Sequence, residues 1–436
     1  MQELTEKRLK RQVIGKQHRF LAVVPLGFEQ TLVNEIASES LEIEIAGDGK
    51  VEFSAKITEA WNIVASSRIA NRILMHIGDF KAENFRDLEK KAADVPWELF
   101  LSGDSVSIHV SCKHSRLYHS DAVAERLYKT IGGSLPLAPA STASATPSPR
   151  GAAPNTPPQN LYISLIDDRC TIWLDLAGEE LYKRGHERFV NDAPLKETIA
   201  AGMIFEACNF NQGKSIVLFD LMAGSGTFSL EAAYITNKLI PGICRDFSLK
   251  HQPAFKEATW NFITKNIIAS SNEAKQSITK IITSDISPRA VEIIRHNVES
   301  CPLANIAPAP IVPELKNFFE YSAQEFIDTC SAAGQGESSP VIVLNPPYGK
   351  RLDFDAPKLY TRIGRRLAEL ARDLNAAGKP LTVAILAPKD DPSTKYTCTA
   401  NLLRECPGLS PDNNAEAKRI VTSHGGLTLN VFIAKI

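Results

Sequence analysis

The 436-residue chain contains no apolar run near the roughly 20 residues that a membrane-spanning helix requires. Its opening, Met1 to Arg19, is charged where a secretory signal would be apolar. A soluble protein of cytoplasmic location is the expectation. The eight cysteines (Cys112, Cys170, Cys208, Cys244, Cys301, Cys330, Cys398, Cys406) lie far apart with no Cys-x-x-Cys pair, which argues against a zinc or dithiol centre. They read as reduced packing residues, and no metal is expected. Net charge is nearly absent as well: 49 basic residues against 50 acidic ones give −1, so a polyanion would have to be met by a local patch. The nucleotide loops Gly-x-x-x-x-Gly-Lys-Ser/Thr and Gly-x-Gly-x-x-Gly are missing too, which disfavours a nucleoside triphosphate. What remains is globular in composition, 44% hydrophobic and 23% charged, and long enough for two or three domains.

One stretch stands apart. Ser134 to Asn160, SLPLAPASTASATPSPRGAAPNTPPQN, is rich in Pro, Ala, Ser and Thr and has scarcely a large apolar side chain. It cannot bury enough surface to offset its ordering entropy, so a disordered insertion is expected at 134–160. It interrupts a domain without ending it, because LYISLIDDRCTIWLDLAG resumes the alternation of a strand. Upstream, RFLAVVPLGFEQTLVNEI reads as strand, turn and helix, VEFSAK as a strand, ITEAWNIVASSRIANRILMHIGDF as helix then strand, SVSIHVSCKH as a strand and DAVAERLYKTIG as a helix. This is an α+β arrangement. From about Thr198 onward strands alternate with helices (SIVLFDLM, TFSLEAAYITNKL, KIITSD, PRAVEIIRHNVES, PVIVLN, LYTRIGRRLAELARDL, LTVAILA), the α/β signature of a parallel sheet covered on both faces.

Three strand ends carry chemistry. FDLMAGSGTFSLEAA leaves a strand at Asp220 and runs through Gly224, Ser225, Gly226 and Thr227 into a helix, at the carboxyl end of a strand where open α/β sheets bind ligands. A carboxylate before the glycines suits a cationic ligand and would repel a pyrophosphate. The same loop would also serve as a plain structural turn. KIITSDIS ends the next strand at Asp285, a place from which an acidic side chain hydrogen-bonds ribose hydroxyls; equally, Ser287 and Pro288 make a helix start that Asp285 would favour. VIVLNPPYGKRL is the most specific. Two prolines hold a rigid turn without donors, leaving the Asn345 side-chain oxygen and the Pro346 carbonyl to accept both hydrogens of a planar amino group. Tyr348 would stack on the base that carries it.

Asn345-Pro346-Pro347-Tyr348 resembles the motif of class I S-adenosylmethionine-dependent methyltransferases that act on exocyclic amines, and FDLMAGSGTFSLEAA resembles their cofactor loop. With RGHERFVNDAPLKETIAAGM (Arg184 to Met203) and NPPYGKRL, the chain is similar to the THUMP-containing methyltransferases of the bacterial 23S rRNA guanine-N2 type, the UPF0020 family to which the N-terminal half of RlmL belongs. The resemblance runs from FLAVVPLGFEQTLVNEI to TSHGGLTLNVFIAKI and omits the 134–160 insertion. It implies a ferredoxin-like segment at 19–80, a THUMP RNA-binding domain at 81–180, a junction at 181–197 and a Rossmann-like catalytic domain at 198–436 whose seven-stranded sheet ends in an antiparallel hairpin; ahead of it the basic run Lys7, Arg8, Lys10, Arg11, Lys16 and Arg19 reads as a basic tail at 1–18, either for rRNA or as a disordered end. It further implies a cofactor set of Asp220, Ala223, Gly224, Ser225, Gly226, Thr227, Asp285, Ile286 and Asn345, and a catalytic set of Asn345, Pro346 and Tyr348. For the adenine end, where the family often has an acidic residue, Ser322 or Gln324 is the nearest candidate in NFFEYSAQEF. The family's longer members carry a second methyltransferase half, so one methylation is expected.

RNA contacts are expected at Lys113, His114, Arg116 and His119 in CKHSRLYH and at Arg184, His186, Arg188 and Lys196, with Lys183, around the junction. Such runs also occur as solvated faces. The expected activity is methyl transfer to the exocyclic N2 of a guanine in 23S rRNA. Its rivals are a tRNA guanine-N2 enzyme, an adenine-N6 methyltransferase and a non-catalytic RNA-binding assembly module.

Overall fold

The computed structural model describes residues 2–38, 41–103, 105–135, 158–186, 188–190, 194–211, 214–270, 278–302, 311–333, 338–348, 355–391, 393 and 397–436. The chain divides into two compact units, each assembled from three stretches of sequence.

The first unit takes in residues 1–23, 36–181 and 245–267. Its strands are β1 (Gln17–Val23), β2 (Glu42–Gly47), β3 (Lys50–Lys56), β4 (Arg72–Lys81), β5 (Val106–Lys113), β6 (Gln159–Ile166) and β7 (Arg169–Asp175). They form one seven-stranded sheet in the order β2-β3-β1-β4-β7-β6-β5. Period-two patterning explains the burial: in β3, Val51, Phe53 and Ala55 are buried while Lys50 and Lys56 stay in water. All pairs are antiparallel except β5 with β6. A parallel pair needs a long crossover. The helix Ser120–Ser134 begins that crossover, and β6 starts at Gln159, inside the stretch read as an insertion. Most of 134–160 therefore lies outside the described residues.

The N-terminal segment differs from the expected tail. Gln2–Leu9 is an α-helix and Lys10–Ile14 continues it as a π-helix. Leu9 and Val13 are buried, and Arg8 pairs with Glu98 at 2.7 Å. The basic residues that suggested a tail are the outer face of a folded element whose inner face is apolar. Strand β2 (EIEIAG) was also not foreseen, its residues being almost all exposed.

The second unit takes in residues 24–35, 182–244 and 268–436. Its strands are β8 (Ile216–Asp220), β9 (Ile278–Asp285), β10 (Pro313–Leu315), β11 (Ser339–Leu344), β12 (Thr382–Pro388), β13 (Lys418–His424) and β14 (Leu427–Lys435), in the order β10-β9-β8-β11-β12-β14-β13. Strands β10 to β12 run parallel, and β14 inserts antiparallel between β12 and β13. The parallel core reads as unbroken apolar runs, with all five residues of β8 and all seven of β12 buried. Strand order reverses at β8, the kind of switch point where doubly wound sheets hold their ligands.

Residues 24–35 belong to this unit although they precede its sheet by almost 200 positions. Phe28 is fully buried against Gly202 of the helix Glu197–Asn209, where an added Cβ would stand 2.5 Å from the ring. Thr31 donates to Glu206, which also receives Lys418 at 2.7 Å. Among the described residues no helix is long and apolar enough to cross a membrane.

Candidate functional site

Strand β8 delivers Asp220 to the start of a loop that must turn sharply into the helix Thr227–Thr236. Gly224 and Gly226 adopt φ of +55° and +79°, left-handed values that a side chain resists. Gly226 also closes on Ala223 by a 2.7 Å backbone hydrogen bond, and a Cβ there would crowd Ile294 at 3.1 Å. At Gly224 a Cβ would meet nothing within 4 Å, so that face of the loop opens onto free space.

The two strand-end carboxylates sit differently from each other. Asp285 accepts from the Gly224 amide at 2.9 Å with one oxygen and from the Ser287 amide at 2.8 Å with the other. It thus combines both readings of its position, tying the glycine loop and starting the helix Pro288–Ser300. Asp220, in contrast, is fully buried behind the loop: Oδ2 accepts from the Ser229 amide and hydroxyl at 3.1 and 2.7 Å, while Oδ1 has no partner. Burial pushes this carboxyl up to about 7 against the pull of the Ser229 hydrogen bonds. The expected direct contact of Asp220 with a ligand is therefore corrected. It anchors the helix that carries the loop. Gly226 likewise lies outside the wall described next, turned into Ile294.

That wall encloses a cavity of about 1520 Å³ within the second unit. Ala223, Gly224, Ser225 and Thr227 form one side, Asp285 and Ile286 the next, then Asn317, Phe318 and Phe319, then Asn345, Pro346, Pro347 and Tyr348. Ile286 is 67% exposed, an apolar side chain left uncovered in the wall. The volume exceeds the roughly 300–1,000 Å³ that encloses a single drug-sized ligand, so two groups fit. Among the described residues Asn345 Oδ1 is buried there with no hydrogen-bond partner. Such an acceptor costs about 1–3 kcal/mol until a donor reaches it. The Tyr348 hydroxyl lies 3.5 Å from His424 Nδ1, and burial pushes the phenol up to about 12, so it stays neutral.

Several wall residues escaped the sequence reading. Asn317–Phe319 follow β10, a strand of three residues that leaves no period to detect. The Arg362 guanidinium lies 4.2 Å from the Phe319 ring centre. Lys389 extends β12, and His424 closes β13. Ser322 and Gln324, the candidates for the adenine end, are corrected: Ser322 caps the helix Ala323–Ala332 with Glu325, and Gln324 donates to Asp328 on the surface. Neither lines the cavity, whereas Asn317, Phe318 and Phe319, just ahead of them in the chain, do.

Of the junction cations proposed as RNA contacts, Arg184 is turned inward and the others are engaged within the protein. Arg184 forms a two-pronged, buried ion pair with Glu231 at 2.9 and 3.0 Å. Burial opposes its charge, but Glu231 more than compensates and holds it cationic. Arg188 pairs with Glu197 and donates to Thr227 Oγ1 at 3.1 Å, His186 meets the Tyr234 hydroxyl at 3.0 Å, and Lys196 stands 4.5 Å over the Tyr182 ring. Burial, with Arg188 assisting, depresses His186 to about 4 and keeps it uncharged. In the first unit Lys113, His114, Arg116 and His119 are exposed, with Arg116 engaged by Glu83 and Asp168. Among the described residues no three His, Cys, Asp or Glu side chains converge as a metal site would require.

Comparison with known proteins agrees with this architecture. Residues 184–379 match the UPF0020 family, described as an RMKL-like methyltransferase domain, and residues 19–74 match the RlmL ferredoxin-like domain. The chain is 27% identical over 367 residues to the Ribosomal RNA large subunit methyltransferase K/L of Syntrophotalea carbinolica, covering 80% of this chain and 47% of the relative. It spans about half the length of the curated K/L relatives it matches. Against YpsC of Bacillus subtilis it is 29% identical over 346 residues, covering 77% of this chain and 80% of that one. In fold it superposes on the structure of SMU.472 complexed with SAH with a TM-score of 0.72, at 22% identity, covering 96% of this chain and 98% of the other.

Proposed function

We propose that this chain, whose residues 184–379 are an RMKL-like methyltransferase domain of the UPF0020 family and whose residues 19–74 are an RlmL-type ferredoxin-like domain, methylates the exocyclic N2 of a guanine in large-subunit ribosomal RNA. S-adenosylmethionine, when bound, supplies an electrophilic methyl group. The residues present fit it: an open-faced Gly224 whose amide is fixed by Asp285, an uncovered Ile286 and the aromatic pair Phe318 and Phe319 form one half of a cavity with room for a second group. The second half is the amine site. The observation that carries the reading is the buried, unpartnered Oδ1 of Asn345.

An amino group brought to that oxygen satisfies a lone acceptor, and the Pro346 carbonyl can take its other hydrogen. Both contacts draw the nitrogen lone pair out of the ring and orient it. They strengthen as positive charge develops on the nitrogen, which is how a preorganised acceptor lowers a barrier. The spare amine proton leaves to water. Tyr348 faces the base, and its neutral hydroxyl brings no charge to the site. RNA as substrate rests on the K/L relatives' name, with residues 81–180 as the THUMP region and 181–197 as the junction to the catalytic domain. Exposed Lys113, His114 and His119 remain available for phosphate.

Incubation with labelled S-adenosylmethionine and, separately, unmodified 23S rRNA, tRNA and DNA, followed by nucleoside mass spectrometry, tests the proposal. N2-methylguanosine in rRNA is the expected product. N2-methylguanosine confined to tRNA moves the substrate, N6-methyladenine moves the base, and cofactor binding without transfer to any of the three rejects the enzymatic reading. Asn345→Ala should lower turnover about 100- to 1,000-fold with cofactor affinity unchanged by calorimetry. Wild-type turnover in that variant removes the role given to Asn345.

A further inference from the structure

The β13–β14 hairpin contributes part of the cavity wall. His424 ends β13 and pairs with Leu427 across a two-residue turn, Gly425–Gly426, whose φ values of 58° and 78° suit the tight turns that match strand twist. A turn of that kind fixes register and hence the face of the hairpin from which His424 projects. His424, Gly425, Leu427 and Thr428 all border the cavity. The imidazole Nδ1 lies 3.5 Å from the Tyr348 hydroxyl, the outer limit of a hydrogen bond, and contacts of this type commonly tighten when substrate closes a site. Burial and the nearby Lys196 charge depress the imidazole, with the Pro194 carbonyl opposing, and a neutral ring that carries its proton on Nε2 offers Nδ1 as an acceptor.

We propose that His424 is a positioning residue for the target base: by accepting the Tyr348 hydroxyl it fixes the plane of the tyrosine ring against which the base must lie. Among the described residues, His424 is the hydrogen-bond partner at the tip of Tyr348, whose backbone is stiffened by the two prolines before it. A phenol ring free to swing about its Cα–Cβ and Cβ–Cγ bonds leaves the base free to tilt, and a tilt of the base moves the amine away from Asn345. Loss of alignment of that size costs turnover while leaving the cofactor half of the cavity untouched. This inference rests on the methyltransferase reading above and adds a residue that neither the motif nor the glycine loop contains.

The test is a small cycle of variants of the full chain. His424→Ala should lower kcat at least tenfold and leave the dissociation constant of S-adenosylmethionine within twofold. His424→Asn, whose side-chain oxygen replaces Nδ1, should recover most of the loss. Tyr348→Phe should lose a similar factor, and the double variant His424→Ala with Tyr348→Phe should be no slower than the worse single one. Multiplying losses, or an asparagine variant as slow as the alanine one, overturns the proposal. If the wild type transfers no methyl to any RNA, it is the functional reading that fails, and nitrogen NMR of the imidazole decides the contact on its own. The Nδ1 resonance of His424 should move between wild type and Tyr348→Phe; an unmoved resonance overturns the proposal.

Discussion

Asp220 and Asp285 occupy equivalent places at the ends of adjacent strands, yet the chain uses them for different work. Asp285 reaches the cavity wall and spends both oxygens on backbone amides, whereas Asp220 faces inward with one oxygen unpartnered. The consequence of that burial is a pH dependence. Burial raises the Asp220 carboxyl from 3.8 to about 7 in the folded protein, so its neutral form is the one the fold favours. Stability from this group is complete below the unfolded value and declines as pH rises through the folded one, by up to about 1.4 kcal/mol per pH unit within that window. Asp220→Asn cannot ionise. Denaturant melts at pH 4 to 8 should show the wild type losing stability relative to this variant between about pH 4 and 7; parallel curves would mean that Asp220 is charged throughout. At the same scale, the amine site was legible in the sequence because Asn345 to Tyr348 are contiguous and their stiffness is covalent. Arg184 was not, since its partner Glu231 lies 47 residues away and a basic run reads the same whether it faces phosphate or a buried carboxylate.

Among the elements, the long periodic ones were readable and the short or paired ones were not. The helix Pro288–Ser300 coincides with the predicted PRAVEIIRHNVES because Ser287 and Pro288 mark its start locally. Strand β10, with three residues, has no pattern of its own, and the position of His424 depends on β14 inserting between β12 and β13, which no local spacing encodes. The helix Glu197–Asn209 shows the cost of such tertiary constraints. Gly202 lies in its middle, where alanine would ordinarily gain about 1 kcal/mol of helix propensity. Here an added methyl would stand 2.5 Å from the buried Phe28 ring, and overpacking of that kind costs about 1–3 kcal/mol. Gly202→Ala should therefore lower the unfolding midpoint, most visibly in a paired comparison with Phe28→Leu, which should relieve the clash when both changes are combined. A stabilised single variant would show that the Phe28 ring moves freely.

For the whole molecule, the decisive fact is that neither unit is a continuous length of chain. The motif-bearing sequence from 182 onward looks self-sufficient when read linearly, and it lacks the Val24–Glu35 stretch that seats Phe28 and bonds Glu206 through Thr31. A fragment of residues 182–436 should unfold without a cooperative transition by circular dichroism, and excess synthetic peptide of residues 24–36 should restore one. A sharp melt in the fragment alone would show that the segment is dispensable.

The same placement sets a schedule for biosynthesis. Phe28 emerges from the ribosome about 170 residues before its seat at Gly202, roughly 10 to 35 s at common elongation rates. Lys418, which completes the Glu206 contact, follows Glu206 by a further 212 residues. Until its seat is made the Phe28 ring lacks the surface that buries it, and the nascent chain depends on whatever shields it.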